Sequence, residues 1–259
     1  MASNGGLIPG FGVLLGKELA EALRSKRLVI FAVIMTGVCL LVPAFGFANL
    51  DHYGSGSRHT VSDDDMHTML ATWAALVGYL GSLMVIASTV DAVSRERATG
   101  ITAWIVTKPV SRLSYLLAKA ASHTLVACVA LVIVPSVVWY AVTAALFANV
   151  PFASVYIAAA MLCLEMGFLS AFVVALGVPL RSVTPIAIIA LALWFMPTVL
   201  PAFSLRWMVY ILPSYLPIEA TLASIDETSA STVTVPIASA IAGALAFAGA
   251  VIMFERQEL

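Results

Sequence analysis

Between two long apolar runs lies the polar sequence DAVSRERATGITAWIVTKPVSRLSYLLAK, residues 91–119. It contains five of the thirteen lysine and arginine residues of the chain. A concentration of positive charge between apolar runs is typical of a loop on the cytoplasmic side of a membrane. We therefore predict that residues 91–119 form a cytosolic loop onto which a second protein docks.

The composition requires a lipid environment for most of the chain. Apolar residues make up 61% of the sequence and the mean hydropathy is +1.02, whereas soluble domains are roughly 45–50% apolar. Six continuous apolar runs have the roughly 20-residue length that a helix needs to cross the hydrocarbon, and the strands of a barrel would instead alternate with polar positions. We predict an all-α integral membrane protein with spans at residues 28–48, 69–90, 120–147, 154–180, 183–203 and 234–254.

The basic residues are distributed unequally between the two sides of these six predicted spans. Only Arg58 and Arg206 fall on one side, and all other lysines and arginines fall on the side that includes both chain ends. Cytoplasmic loops carry the excess of positive charge. This bias predicts a multi-pass protein of the cell membrane with both termini in the cytoplasm, and the net charge of −1 gives no indication of a nucleic-acid partner.

The segment before the first span predicts an interfacial helix over residues 7–26. Apolar residues recur at every fourth position while charged residues occupy another face, as in helices that lie in the plane of a membrane interface. The apolar positions are Phe11, Leu15, Leu19 and Leu23, and the charged positions are Lys17, Glu21 and Arg24.

Residues 204–233 differ from an ordinary polar loop because they combine aromatic, proline and aliphatic residues. These include Trp207, Tyr210, Pro213, Tyr215 and Pro217. Such a composition favours short helices that re-enter the membrane from the extracytoplasmic side. The polar intervals are too short for a second globular domain, so we predict one transmembrane domain over residues 1–259.

The sequence shows no nucleotide site of its own. GFGVLLGKE at residues 10–18 is the nearest match to a phosphate-binding loop, but Phe11 stands where the first glycine is required and Glu18 replaces the magnesium-binding serine or threonine. No catalytic, cofactor or metal site is predicted, and any ATP hydrolysis must occur in another polypeptide. A membrane enzyme or a membrane component without transport activity is a less favoured alternative, since no hydrolase or zinc-protease signature is present.

Glu165 is the one acidic residue deep inside a predicted span. Carboxyl groups at this depth are costly, and they usually face the interior of a bundle or a wet cavity. A role in a transport pathway and a structural hydrogen bond between helices both remain open.

Three segments resemble the membrane subunits of ATP-binding-cassette transporters of the ABC type 2 class. GKELAEALRSKR before the first span is similar to the elbow helix of that family, SRERATGITAWIVTKPVSRLSYLLAK is similar to its cytosolic coupling segment, and FERQEL resembles the way in which many members end. The resemblance covers essentially the whole chain and includes copper-maturation and multidrug-type export permeases.

The resemblance implies a permease that exports a compound, paired with a second copy or a related permease. Cytosolic ATPase subunits would carry ATP and magnesium, and the helix around residues 94–104 would couple them to the bilayer-embedded part. The residues expected at this docking helix are Ser94, Arg95, Glu96, Arg97, Gly100, Ile101 and Trp104. The resemblance leaves open a permease of a copper- or sulfur-related maturation system as the alternative to a multidrug-type exporter.

Overall fold

The computed structural model describes residues 10–49, 62–94, 111–148, 150–180, 182–200, 212–225 and 231–256. The regular secondary-structure elements within these ranges are all helices. In chain order the α-helices are α1 (Phe11–Leu23), α2 (Lys26–Asn49), α3 (Asp63–Thr89), α4 (Arg112–Ala127), α5 (Val134–Leu146), α6 (Phe152–Leu176), α7 (Val183–Val199), α8 (Leu216–Ser224) and α9 (Ser231–Arg256). A π-helical segment, Cys128–Ile133, joins α4 to α5, and a 3-10 turn, Pro213–Tyr215, precedes α8.

Among the described residues, five helical segments are long and apolar enough to cross a membrane. They are Lys26–Ala48, Asp63–Thr89, Arg112–Leu146, Phe152–Leu176 and Val233–Phe254. The predicted all-helical membrane fold is therefore confirmed, with five candidate spans. The predicted fifth span corresponds to α7, which is a shorter helix with an apolar stretch at Val183–Pro197, and residues 201–203 of that prediction lie outside the described ranges.

Two helices begin earlier than the sequence predicted. Helix α3 begins at Asp63 because the Ser62 side chain caps it, accepting a hydrogen bond from the Asp65 backbone N–H at 3.2 Å. Helix α4 begins at Arg112, after the Ser111 side chain accepts from the Ser114 backbone N–H at 3.0 Å. Residues 112–119 of the predicted cytosolic loop are therefore helical.

The π-helical segment interrupts the long Arg112–Leu146 helix just before Pro135. Proline has no backbone N–H and cannot complete the α-helical hydrogen-bond ladder, so a local change of register before it is expected. The Val134 N–H accordingly donates to the Val129 carbonyl, five residues back. The Cys128 thiol at the start of this segment donates to the Cys163 carbonyl of α6 at 3.4 Å.

The main apolar core lies between α3 and α6, with α8 packed against both. Trp73 of α3 and Trp139 of α5 are fully buried, and their rings stack with centroids 5.1 Å apart. Close approach of α8 requires a glycine, because a Cβ added at Gly78 would lie 2.7 Å from the Cβ of Pro217. Since Gly78 lies near the middle of α3, the start of α8 is held at mid-height in the bundle.

A second, smaller apolar cluster gathers the ends of several helices. Its buried members are Val93, Tyr115, Leu116, Val174, Ala175, Val178, Ala250 and Phe254, and the partly buried Leu14, Phe247 and Val251 pack against them. We refer to this set of side chains as the junction cluster. It joins α1, the turn that follows α3, the start of α4, the end of α6 and the end of α9.

Candidate functional site

The predicted docking helix falls mostly outside the described residues. Ser94 is described, whereas the other residues assigned to that helix are not: Arg95, Glu96, Arg97, Gly100, Ile101 and Trp104. Ser94 is buried, with 4% of its surface exposed, and its hydroxyl makes no hydrogen bond to another described residue. The chain is described again from Ser111, so the structure shows where both flanks of residues 95–110 are anchored.

Both flanks are anchored in or beside the junction cluster. On the first flank, Val93 packs so tightly on α6 that a Cβ added at Gly177 would lie 2.8 Å from the Val93 Cβ. On the second flank, Tyr115 and Leu116 of α4 are buried in the same cluster. A force applied to residues 95–110 would therefore act on closely packed side chains that connect the five parts of the chain joined by the junction cluster.

Arg112 fastens the start of α4 to the end of α9. Its Nη1 donates a hydrogen bond to the Phe254 carbonyl oxygen, and its guanidinium carbon lies 5.5 Å from the centre of the Phe254 ring. The Tyr115 ring lies 6.0 Å from the same phenyl ring. The carbonyls of the last turn of a helix have no intrahelical donor, so an arginine at this position both caps α9 and complements its dipole.

The most deeply buried ion pair among the described residues joins α1 to α4. Lys119 Nζ lies 3.0 Å from Glu18 Oε2, and the two residues are 3% and 7% exposed. The other oxygen, Glu18 Oε1, accepts from the partly exposed Lys17 Nζ at 3.3 Å. Lys119 Nζ also lies 5.5 Å from the centre of the Tyr115 ring, a distance at which a cation is attracted to an aromatic face.

Charge neutralisation keeps the Glu18 carboxylate ionised. Burial acts to raise the pKa of Glu18, but Lys119 and then Lys17 lower it by charge and hydrogen bonding, and the net pKa is below its ordinary value. Glu18 is thus an anion at neutral pH that faces a buried ammonium group. The sequence analysis used Glu18 only as evidence against a phosphate-binding loop. Its position between the apolar and charged faces of α1 is the feature from which its burial could have been predicted.

The start of α2 and the turn after α3 are linked by a weaker contact. Arg27 Nη1 lies 3.5 Å from Asp91 Oδ2, with 65% of the Arg27 side chain exposed. Exposed pairs of this kind contribute little to stability, typically about 0–1 kcal/mol. Of these two ion pairs between described residues, Glu18–Lys119 is therefore the one expected to contribute more to holding the helices together.

Glu165 is fully buried on α6 and contacts α3. Its Oε1 lies 2.6 Å from Ser82 Oγ, and Ser82 Oγ also lies 2.6 Å from the Gly78 carbonyl oxygen. Because a hydroxyl has one proton and a carbonyl can only accept, both short contacts are satisfied when Ser82 donates to Gly78 and a neutral Glu165 donates to Ser82. Glu165 Oε2 has no hydrogen-bond partner among the described residues.

Glu219 of α8 is a second fully buried carboxyl group, to which sequence reasoning gave no role. Its burial follows from the packing of α8 against α3 and α6, which no local sequence pattern indicates. Within the described ranges, no group of three or more histidine, cysteine, aspartate or glutamate side chains is placed to hold a metal ion.

Comparison with known proteins identifies one family. A family model described as ABC-2 family transporter protein matches residues 13–259, from α1 to the end of the chain. A search of curated proteins finds no match. The family match spans the junction cluster, the ion pair and the buried carboxyl groups alike.

Proposed function

This chain belongs to the ABC-2 transporter family, and we propose that it is the permease subunit of an exporter driven by a separate ATPase subunit. Membership of the family, together with the five candidate spans, makes the chain a multi-pass membrane permease subunit of an ABC transporter. The ATPase partner and the outward direction of transport are our proposal.

The observation that carries the proposal is the anchoring of residues 95–110. Val93 on one flank and Tyr115 on the other are 2% exposed and belong to the same cluster. A partner that grips the intervening residues would therefore move the ends of α4, α6 and α9 together. The sequence lacks an intact phosphate-binding loop, so ATP and magnesium are assigned to that partner.

In this mechanism the docking helix contains Ser94, Arg95, Glu96, Arg97, Gly100, Ile101 and Trp104. A short helix with charges of both signs suits a polar cleft in a soluble partner, where charge complementarity fixes the orientation. ATP-driven closure of two partners would move two junction clusters relative to each other. The bundles would then rock between inward-open and outward-open arrangements.

We propose six spans and two cytoplasmic termini for the topology. Helix α7 has 17 residues, which is at the short end of the roughly 17–25 residues that span a bilayer. Counting α7 as a span gives an even number and places Lys17 and Arg256 on the same side, in agreement with the positive-inside rule. The start of α8 at mid-height, beside Gly78, supports a re-entrant segment between α7 and α9.

We also propose that α1 is an elbow helix in the membrane interface. Three sides of the helix have different surroundings: Glu18 faces α4, Val13 and Leu23 are 81% and 66% exposed, and Lys17 and Glu21 form a charged edge. Exposed apolar side chains beside exposed charges suit the boundary between acyl chains and head groups.

The functional unit is proposed to be a pair of permeases, either two copies of this chain or this chain with a related one. Lipophilic compounds are the proposed cargo, because the spans place few charged groups in the membrane. Transport assays in inverted membrane vesicles distinguish a lipophilic cargo from a copper- or sulfur-related cargo. Uptake of a lipophilic dye that requires ATP supports the first, and ATP-dependent accumulation of copper or sulfur supports the second.

The docking assignment can be tested by co-purification. The tagged chain is purified from the membranes of its native host, and the co-purifying ABC-type ATPase is quantified for the parent and for a Glu96→Ala, Arg97→Ala double variant. We expect the double variant to lose most of the bound ATPase. A matched variant, Glu21→Ala with Arg24→Ala, removes the same two charge types from α1 and should retain it.

Equal recovery of the ATPase by the parent and the Glu96, Arg97 variant would show that the docking surface lies elsewhere. Failure of the parent to bind any ATPase would refute the proposed function itself.

A further inference from the structure

The Glu18–Lys119 ion pair connects helix α1 to helix α4, which follows residues 95–110. The ion pairs that Lys17 of α1 makes with Glu18 and Glu21 lie within α1, and the Lys17 side chain is 48% exposed, so they do not provide a buried link to another helix. Ser111, the residue that caps α4 and follows residues 95–110, lies about two helical turns before Lys119. Because α4 is continuous from Arg112 to Ala127, a displacement of its start would be carried to Lys119.

We propose that Glu18 and Lys119 are positioning residues that make α1 move together with α4 during the ATP-driven cycle, an inference that rests on the proposed function. The pair transmits displacement because its charges are held away from water. When a buried ion pair opens without water reaching it, neither charge regains its hydration, so separation is strongly opposed. Leu14, one turn before Glu18 on α1, packs against the junction cluster, and the side chains of Lys119 and Glu18 are only 4% and 8% exposed.

The chemistry of the pair also favours a rigid link over a sliding contact. Each oxygen of Glu18 faces a different ammonium group, Oε2 that of Lys119 and Oε1 that of Lys17. The Tyr115 ring holds the Lys119 ammonium from α4 itself. Rotation of α1 about its own axis would remove Glu18 from Lys119, so the pair fixes the rotation of α1 as well as its distance from α4.

This inference predicts that α1 changes its surroundings when the partner binds ATP. The test places an environment-sensitive fluorophore on a Val13→Cys variant, because the Val13 side chain points outward with 81% exposure. The labelled permease is purified with its ATPase, reconstituted in nanodiscs, and titrated with ATP. We expect an ATP-dependent change in fluorescence in this background, and loss of most of that change when Glu18→Gln or Lys119→Gln is added, because the pair that links α1 to α4 is then broken.

Two further variants separate transmission from simple loss of structure. The double variant Glu18→Lys, Lys119→Glu restores an ion pair with reversed polarity and should recover much of the ATP-dependent signal. Glu21→Gln removes the same charge one turn away at an exposed position and should leave the signal unchanged. If Glu18→Gln does not assemble, Glu18→Asp, which shortens the side chain by one methylene, is expected to reduce the signal in an assembled protein.

Several outcomes would overturn the inference. An undiminished ATP response in an assembled Glu18→Gln or Glu18→Asp protein would show that the pair transmits nothing. If the parent complex binds and hydrolyses ATP but the fluorescence of the label at position 13 does not change, α1 does not move, and the inference fails while the proposed function stands. Absence of a co-purifying ATPase would instead refute the proposed function, and this inference with it.

Discussion

The hydroxyl oxygen of Ser82 lies 2.6 Å from the nearer carboxyl oxygen of Glu165, which links α3 to α6 inside the bundle. Since Ser82 also contacts the Gly78 carbonyl at 2.6 Å, a neutral Glu165 satisfies both contacts. The second carboxyl oxygen has no partner among the described residues. A buried polar atom without a hydrogen bond costs stability, roughly 1–3 kcal/mol.

Substitution of Glu165 should separate stability from transport. We expect Glu165→Gln to change the free energy of unfolding by less than about 1 kcal/mol, because an amide can also donate to Ser82. Glu165→Leu should leave stability equal or higher by about 1 kcal/mol, since it removes the partnerless oxygen while Ser82 keeps its bond to Gly78. Thermal unfolding in detergent measures both variants.

Transport by the same two proteins then reveals what the carboxyl group does. We expect Glu165→Gln to transport like the parent and Glu165→Leu to transport less. Loss of transport in a stable Glu165→Gln protein would instead mean that the carboxyl group ionises during the cycle. Full transport by both variants would remove Glu165 from the mechanism.

The contribution of Glu18 should depend on pH. Its pKa in the folded protein is lowered below the ordinary value of 4.5, so its stabilising effect is fully present above about pH 4.5 and is lost as the pH falls through the lowered pKa. At neutral pH we expect Glu18→Gln to cost about 3–5 kcal/mol, because it leaves Lys119 buried opposite a neutral group. Melting temperatures between pH 3 and pH 7 provide the measurement.

The difference in melting temperature between the parent and Glu18→Gln should be constant near neutral pH and shrink only in acid. Glu21→Gln is the control, since its exposed side chain should show almost no such difference. A parent–variant difference that grew on acidification would contradict the assigned direction of the pKa shift.

Gly78 should be intolerant of a side chain. A Cβ at this position would lie 2.7 Å from the Pro217 Cβ and 3.1 Å from Leu162 Cδ2, and the proline ring cannot rotate away. We expect Gly78→Ala to destabilise the protein by about 1–3 kcal/mol through overpacking, and to loosen α8. Limited proteolysis and thermal unfolding would report the two effects.

Gly37 of α2 offers the matched control, because a Cβ there would meet no atom within 4 Å. Alanine favours a helix interior over glycine by up to about 1 kcal/mol, so Gly37→Ala should be neutral or stabilising. Equal behaviour of the two substitutions would show that α8 does not press on Gly78.

The assembly should contain two permease chains. We expect native mass spectrometry of the detergent-solubilised complex to show two copies of the chain, or one copy with one related permease, together with two ATPase subunits. One copy of this chain beside no other permease would contradict the proposed pathway.

The sequence by itself determined the membrane environment and the helical class. These features follow from composition and from the length of apolar runs, because a backbone in hydrocarbon must satisfy its hydrogen bonds within each helix. The resemblance to ABC type 2 permeases also rested on local segments, and the family match confirms it at that level.

Tertiary packing decided which of the polar residues meet inside the protein. Glu18 and Lys119 are 101 residues apart in the sequence, and Ser82 and Glu165 are 83 residues apart, so no local pattern indicates that they meet. The two pairs form only because α1 packs against α4 and α3 packs against α6. The starts of α3 and α4 likewise depend on serine caps that a hydropathy reading does not weigh. Apolar runs fix where helices form, whereas the burial of a few charged and polar groups between particular helices is settled by three-dimensional packing.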